Sequence, residues 1–207
     1  MMKPNAAPGD GFGLIVVSAP SGAGKSSLCL RLLDRLKDRL ALSISTTSRA
    51  PRGAEKNGVE YFFTTTDAFE KKIRNQEFAE WANVHGNYYG TSRETLSRFW
   101  AAQKHVLLDI DVQGASTLVN AYPDRTLTVF IAPPSLEVLE QRLRGRGTDP
   151  EESIQRRMKN AIAEMDRKDG FHRLVLNDDF EKAYAALETE VVRFMDALEG
   201  GTWQSPQ

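Results

Sequence analysis

The chain has one cysteine, Cys29, in 207 residues. No intrachain disulfide can form, and a cysteine-based zinc site has too few ligands. That usage fits a reducing compartment, and a cytoplasmic protein is expected. Cys29 falls on the face of a helical stretch expected to be buried, where it serves as a small core hydrophobe. No apolar run reaches the length of a membrane span, so no membrane partner is expected. Nor is there much excess charge: 27 Lys and Arg stand against 28 Asp and Glu, a net of −1. A nucleic-acid binder working through bulk electrostatics is disfavoured, and any phosphate ligand must be held by local groups of Arg and Lys. There is no internal repeat. Met1 to Gly11 lacks a signal-peptide pattern and is expected to be a loose tail.

What is present is a soluble globular composition, 41% hydrophobic and 27% charged. Its size suits one α/β domain with an insertion, or two small domains. One stretch organises the rest. The apolar run Gly13–Ser18 reads as a buried strand, and Leu28–Leu40 carries apolar residues at helical spacing. Between them lie Ala19, Pro20, Ser21, Gly22, Ala23, Gly24, Lys25, Ser26 and Ser27. Strand, glycine-containing loop, Gly-Lys-Ser and helix form the context of a phosphate-binding P-loop. A helix N-terminus offers unpaired N–H groups and a positive dipole end, and Gly22 and Gly24 let the backbone curl around an anion. Lys25 is placed to reach β- and γ-phosphates of ATP, and the Ser26 hydroxyl to hold Mg²⁺. The usual first glycine of the motif is Ala19 here, which fits if its φ is negative.

Further along, Leu42–Ser45 alternates like a second strand. A polar loop follows, with Arg49 and Arg52 close together around Pro51. Asn57-Gly58 signals a hairpin turn and Val59–Phe63 a strand. Asp67 is placed to cap a short helix to Ile73, Phe78–Val84 alternates as a strand, His85–Thr91 reads as a turn with Tyr88 and Tyr89, and Ser92–Lys104 as a helix. Residues 45–104 are thus expected to form a largely β insertion. His105–Asp111 is a continuous apolar run ending in Asp109 and Asp111, as suits a strand buried on both faces with acids at its C-terminal end. In a strand the two acids share one side, placed for work near a metal. A helix is expected over Val112–Tyr122, a strand over Leu127–Pro133 and a helix over Ser135–Arg144. The arginine-dense, glycine-hinged segment 142–148 then leads to a helix capped by Asp149, with Pro150 first, that carries Arg156 and Arg157. This 145–170 flap reads as a lid closing over phosphates. Arg173–Asp178 is the last strand and Asp179–Leu198 an amphipathic closing helix.

The chain resembles the guanylate kinases over nearly its whole folded length, about residues 13–198. The resemblance rests on Ser-Gly-Ala-Gly-Lys-Ser at 21–26, Ser45 to Gly53, Asn57 to Tyr61, Glu80-Trp81 and Asn87 to Thr91. It continues through Leu108 to Gly114, Ile131 to Ser135, Gly145 to Thr148 and Asn177 to Asp179, all in family order. It implies an α/β fold of P-loop NTPase type: a parallel sheet flanked by helices (12–44, 105–144, 171–199), a mixed α/β GMP-binding insertion (45–104) and a helical lid (145–170), with a tail from 200. It implies an enzyme that moves the γ-phosphoryl of ATP to GMP, and to dGMP besides, giving ADP and GDP with Mg²⁺, in purine metabolism and GMP recycling. By motif matching, Arg49, Arg52, Tyr61 and Tyr89 hold the GMP phosphate, and Glu80 reads guanine N1–H and N2–H₂. Ser45 and Thr91 are hydroxyls around the base. Asp109 and Asp111 lie near metal and substrate, with Asp109 on Mg²⁺ directly or through water. Arg146 and Arg157 reach the transferring phosphoryl from the lid, and Asn177 and Asp178 lie near the adenine. Lys25, Arg52, Arg146 and Arg157 would spread the charge in flight. No general base is needed, because the acceptor is an anionic phosphate oxygen. Two other classes remain open. One is a scaffold-type binding module that has kept the acceptor pocket, against which the intact Gly24-Lys25-Ser26 counts. The other is a kinase of the same superfamily for another acceptor, such as AMP, UMP or a ribose bisphosphate, against which Ser45, Glu80 and Thr91 count. A monomer and a homo-oligomer are equally compatible.

Overall fold

The structure is a computed structural model that describes residues 11–84, 86–145 and 150–205. Two sheets organise it. The first is five-stranded and all parallel: β1 (Leu14–Ser18), β2 (Leu40–Leu42), β7 (His105–Asp109), β8 (Thr126–Ala132) and β9 (Arg173–Leu176), in the order β2-β7-β1-β8-β9. The second has four strands, β3 (Thr46–Thr47), β4 (Phe62–Phe63), β5 (Phe78–Val84) and β6 (Asn87–Ser92), in the order β4-β3-β6-β5.

β1 sits at the centre of the larger sheet and is buried along its whole length, which explains its uninterrupted apolar sequence. Its side chains alternate between two cores. Ile15 and Val17 face Leu28 and Leu32 of α1 (Lys25–Arg35) and Leu187, Val191 and Phe194 of α7 (Phe180–Glu199). Leu14 and Val16 face Leu96 of α3 (Arg93–Ala101) and Leu118 of α4 (Val112–Ala121). Helices therefore cover both faces, and the C-terminal strand ends are left open toward a ligand cavity. α5 (Leu136–Arg144) and α6 (Glu151–Met165) pack on each other through Leu139, Leu143, Ile154 and Ala161. α2 (Thr66–Arg74) lies on the second sheet, with Phe69 stacked between Phe78 and Tyr88. Cys29 is buried and unpaired as expected, and burial pushes its thiol up to about 12.

Several boundaries differ from the sequence reading. α1 ends at Arg35, and the chain turns over Leu36–Arg39 so that Leu40 opens β2, two residues before the expected strand. His85–Thr91 is not all turn: β6 begins at Asn87 and pairs antiparallel with β5. The Val59–Phe63 strand contracts to Phe62–Phe63. Thr65, not Asp67, caps α2, its hydroxyl accepting from Ala68 N–H at 3.2 Å. α6 has Pro150 at its N-cap with no side-chain cap, while Asp149 lies outside the described residues. β7 stops at Asp109, so Asp111 is not a strand residue; it caps α4, its Oδ1 accepting from Gly114 N–H at 2.8 Å.

Candidate active site

A cavity of about 530 Å³ opens at the C-terminal ends of β1 and β7. One wall is the P-loop. Gly22 and Gly24 have φ of 98° and 90°, the left-handed region that glycine enters without strain. Ala19 is absent from the residues of positive φ, so alanine is accommodated there. The Ala23 N–H closes the loop onto Pro20 O at 3.0 Å. No side chain caps α1, and no acid stands in its first turn, so its leading N–H groups remain available to an anion. Ala19, Pro20, Ser21, Gly22, Gly24, Lys25, Ser26 and Ser27 line the cavity; Ala23 is fully buried behind them.

Lys25 forms an ion pair with Asp109. Burial pulls the ammonium pKa down, but the Asp109 charge and hydrogen bond outweigh it and hold Lys25 above its usual value. Asp111 also lines the cavity, so the two acids converge through the strand-to-helix turn rather than along one strand. From the facing helix, Arg157 of α6 donates to the Ser21 hydroxyl at 3.2 Å. Arg146 lies outside the described residues.

The opposite wall comes from the second sheet. Ser45, Tyr61, Glu80 and Tyr89 line it. Glu80 and Thr91 are cross-strand partners in β5 and β6, and the buried Thr91 hydroxyl donates to Glu80 Oε1 at 2.7 Å. Glu80 is 4% exposed, and burial pushes its carboxyl up to about 7 against the Thr91 hydrogen bond. Gly114 borders the carboxylate closely: a Cβ there would lie 2.8 Å from Glu80 Oε2. Tyr88 and Tyr89, adjacent on β6, face opposite sides; Tyr88 stacks on Phe69 and Tyr89 faces the cavity and the Tyr61 ring.

Arg49 sits behind this wall. Its guanidinium lies 5.3 Å from the Tyr61 ring centre and makes a fork to Glu55, with both bonds at 2.9 Å. Glu55 also accepts from Arg52 N–H at 2.7 Å, while the Arg52 side chain is exposed. Asn177 and Asp178 do not line the cavity: Asn177 is buried against the P-loop backbone, and Asp178 is exposed.

Two site residues escape the sequence reading. Glu55 is one; its only signal is being the acid three residues beyond Arg52 in a basic loop. Glu164 is the other. It lines the cavity from α6, and burial pushes its carboxyl up to about 7, with Lys25 opposing the shift and Asp111 adding to it. It lies seven residues after Arg157, on the same helical face, which is the clue available in sequence.

The family profile described as guanylate kinase matches residues 13–193. A curated guanylate kinase of Idiomarina loihiensis is 50% identical over 84% of this chain and 83% of its own length. One from Schizosaccharomyces pombe is 46% identical over 84% and 87%. The crystal structure of guanylate kinase from Anaplasma phagocytophilum superposes with a TM-score of 0.70 at 29% identity, covering 88% of this chain and 85% of that one. By profile, sequence and fold together, the chain belongs to the guanylate kinase family.

Proposed function

We propose that the cavity binds ATP along the P-loop and GMP against the second sheet, and transfers the γ-phosphoryl between them to give ADP and GDP. The chain is a nucleoside-monophosphate kinase by family. The observation that carries the site reading is that one cavity has a phosphate loop on one wall and a buried carboxylate, Glu80, on the other. A carboxylate can accept from guanine N1–H and N2–H₂ at once, a donor pair that adenine lacks. Ser45 and Thr91 supply hydroxyls beside it. Arg49, Arg52, Tyr61 and Tyr89 supply the forks and phenols for a phosphate dianion. The residues 45–104 serve as the acceptor domain and 145–170 as the lid.

Little covalent work falls to the protein. The acceptor oxygen is already anionic, so no residue is needed as base; alignment and charge neutralisation do the rest. Lys25, Arg52 and Arg157, joined by Arg146 from the lid, spread the charge on the phosphoryl in flight. Lid closure excludes water, which would otherwise hydrolyse ATP. Asp178 stays assigned to the ATP side by motif alone.

Magnesium fits the donors present. The Ser26 hydroxyl and the Asp109 carboxylate are hard oxygens on one cavity, with Asp111 beside them. Among the described residues no group of three or more His, Cys, Asp or Glu forms a cage, which suits an ion held mostly by phosphate oxygens and water. Bound there, Mg²⁺ would neutralise phosphate charge. No described helix is long and apolar enough to cross a membrane; we assign the enzyme to the cytoplasm on its substrates alone.

The test is ADP release with Mg-ATP and each of GMP, dGMP, AMP, UMP and CMP. Turnover confined to GMP and dGMP is expected. GMP binding without turnover would replace the kinase reading by that of a binding module.

A further inference from the structure

The motif match puts Asn177 near the adenine of ATP, yet its side chain is already engaged elsewhere. Its Nδ2 donates to the Ala23 carbonyl at 2.7 Å, a buried bond between residues 154 positions apart. Its backbone N–H donates to Ala132 O at 2.8 Å, continuing the β8–β9 ladder. Its own carbonyl accepts from Arg142 Nη2 at 3.0 Å. Asn177 is thus fixed at three points, and the third is a residue of α5.

Ala23 lies between the two left-handed glycines of the P-loop. Gly24 leaves room for the amide: a Cβ there would fall 2.3 Å from Asn177 Nδ2. On the other flank Gly22 packs on α5, where a Cβ would fall 3.1 Å from atoms of both Leu139 and Leu143. The crest of the loop is therefore braced by Asn177 on one side and by α5 on the other, and Arg142 joins the braces. The Ala23–Gly24 peptide is planar and trans, so its C=O and N–H point in opposite directions. Holding the Ala23 carbonyl against Asn177 turns the Gly24 N–H away from it, on a residue that lines the cavity.

We infer that Asn177 is a positioning residue for the phosphate cradle: through the Ala23 carbonyl it sets the P-loop N–H groups on the donor triphosphate, without reading the base. This rests on the reading that the P-loop takes the triphosphate of ATP. Ala23 is fully buried, so deleting the amide leaves its carbonyl without this partner and frees the peptide to rotate.

The experiment measures binding of inorganic tripolyphosphate, ATP, ITP and GMP to the wild type and to Asn177→Ala by calorimetry. ITP has no 6-amino group, and tripolyphosphate has no base. Loss of one buried hydrogen bond is expected to weaken all three polyphosphates alike, by about tenfold, and to leave GMP unchanged. Weakened ATP beside unaltered tripolyphosphate and ITP would overturn the inference and make Asn177 an adenine contact. Equal weakening of all four ligands would overturn it too, as general damage. Should the variant fail to fold, hydrogen exchange of the Asn177 side-chain amide in the wild type decides. Slow exchange, unchanged by ATP, is expected; fast exchange, or an amide that changes partner when ATP binds, refutes it. Wild-type turnover on GMP is scored separately, so that failure of the kinase reading leaves the tripolyphosphate comparison intact.

Discussion

Replacing Glu80 by Gln should have two effects of opposite sign. The carboxyl is 4% exposed and titrates at about 7 instead of 4.5, because burial penalises its charged form more than the Thr91 hydrogen bond favours it. That gap is worth about 3 kcal/mol, at 1.36 kcal/mol per pH unit. Below pH 4.5 the group is neutral whether the chain is folded or not. Between 4.5 and 7 the unfolded chain gives up its proton first, so the Glu80 contribution turns against the folded empty protein as pH rises, and above 7 that loss is complete. Gln has the same shape and can still accept from Thr91, but carries no charge to desolvate. Glu80→Gln should therefore be more stable than the wild type at pH 8. Its advantage should be about 2–3 kcal/mol larger there than at pH 5, which is several degrees in unfolding temperature for a domain of this size. Function moves the other way. Hydrogen bonds to a charged group are worth about 1.5–3 kcal/mol, so GMP should bind the variant about 10- to 150-fold more weakly at pH 8. Thermal unfolding and calorimetric GMP titration at pH 5 and 8 read both effects. GMP binding to the wild type near pH 7 should also release about half a proton that Glu80→Gln does not; ionisation of the GMP phosphate is common to both and cancels. An equal stability change at both pH values would refute the reasoning, because burial of charge would then not be what Glu80 endures.

Other residues give sharper single readouts. Arg49→Lys replaces the fork to Glu55 with one ammonium and should raise KM for GMP by about tenfold or more while leaving KM for ATP unchanged, as initial rates would report. Gly24→Ala puts a side chain at φ 90° and within 2.3 Å of Asn177 Nδ2, which should cost about 1–3 kcal/mol of stability by chemical unfolding and weaken ATP more than GMP. His105 is fully buried; its Nδ1 accepts from Gly13 N–H at 3.1 Å, and burial holds its pKa below 6.5 against the pull of Glu199. The His105 contribution to stability should therefore be lost as pH drops below about 6.5, opposite in sign to that of Glu80, and His105→Gln should remove that component from a pH series of unfolding temperatures.

How legible the fold was depended on whether a signal was local. β1, β5 and β8 could be read because burial of a strand imposes a pattern on its own residues. The end of α1 could not. The apolar spacing continues through Leu36 and Leu40, and no Gly or Pro marks a stop; what ends the helix is the pairing of Leu40 with His105 across the sheet, a partner 65 positions away. β6 was hidden for a related reason. Asn87 to Thr91 is rich in turn residues and aromatics, and becomes a strand because β5 offers it a ladder of pairs from Phe78 to Val84.

The site divides along the same line. The P-loop and the acids near Asp109 sit at strand ends and turns whose local chemistry announces them, Glu80 was named by the family resemblance alone, and the structure brings them all onto one cavity. Glu55 and Glu164 carry only a spacing clue, and the motif that named Asn177 pointed to another role for it, because each gains meaning from a group distant in space rather than in pattern. Glu55 matters because Arg49 folds back onto it, and Glu164 because α6 swings it toward Lys25. Asp111 illustrates both halves at once. Its sequence position at the end of an apolar run was informative, yet its assigned geometry was wrong by one structural element. A strand would have set it level with Asp109; the helix that begins at Val112 takes its carboxylate as a cap instead. Each acid has one oxygen engaged, but the Asp111 partner is a backbone N–H held in α4 whereas the Asp109 partner is the Lys25 side chain, so of the two acids Asp109 is the one whose partner can be exchanged without disturbing a helix.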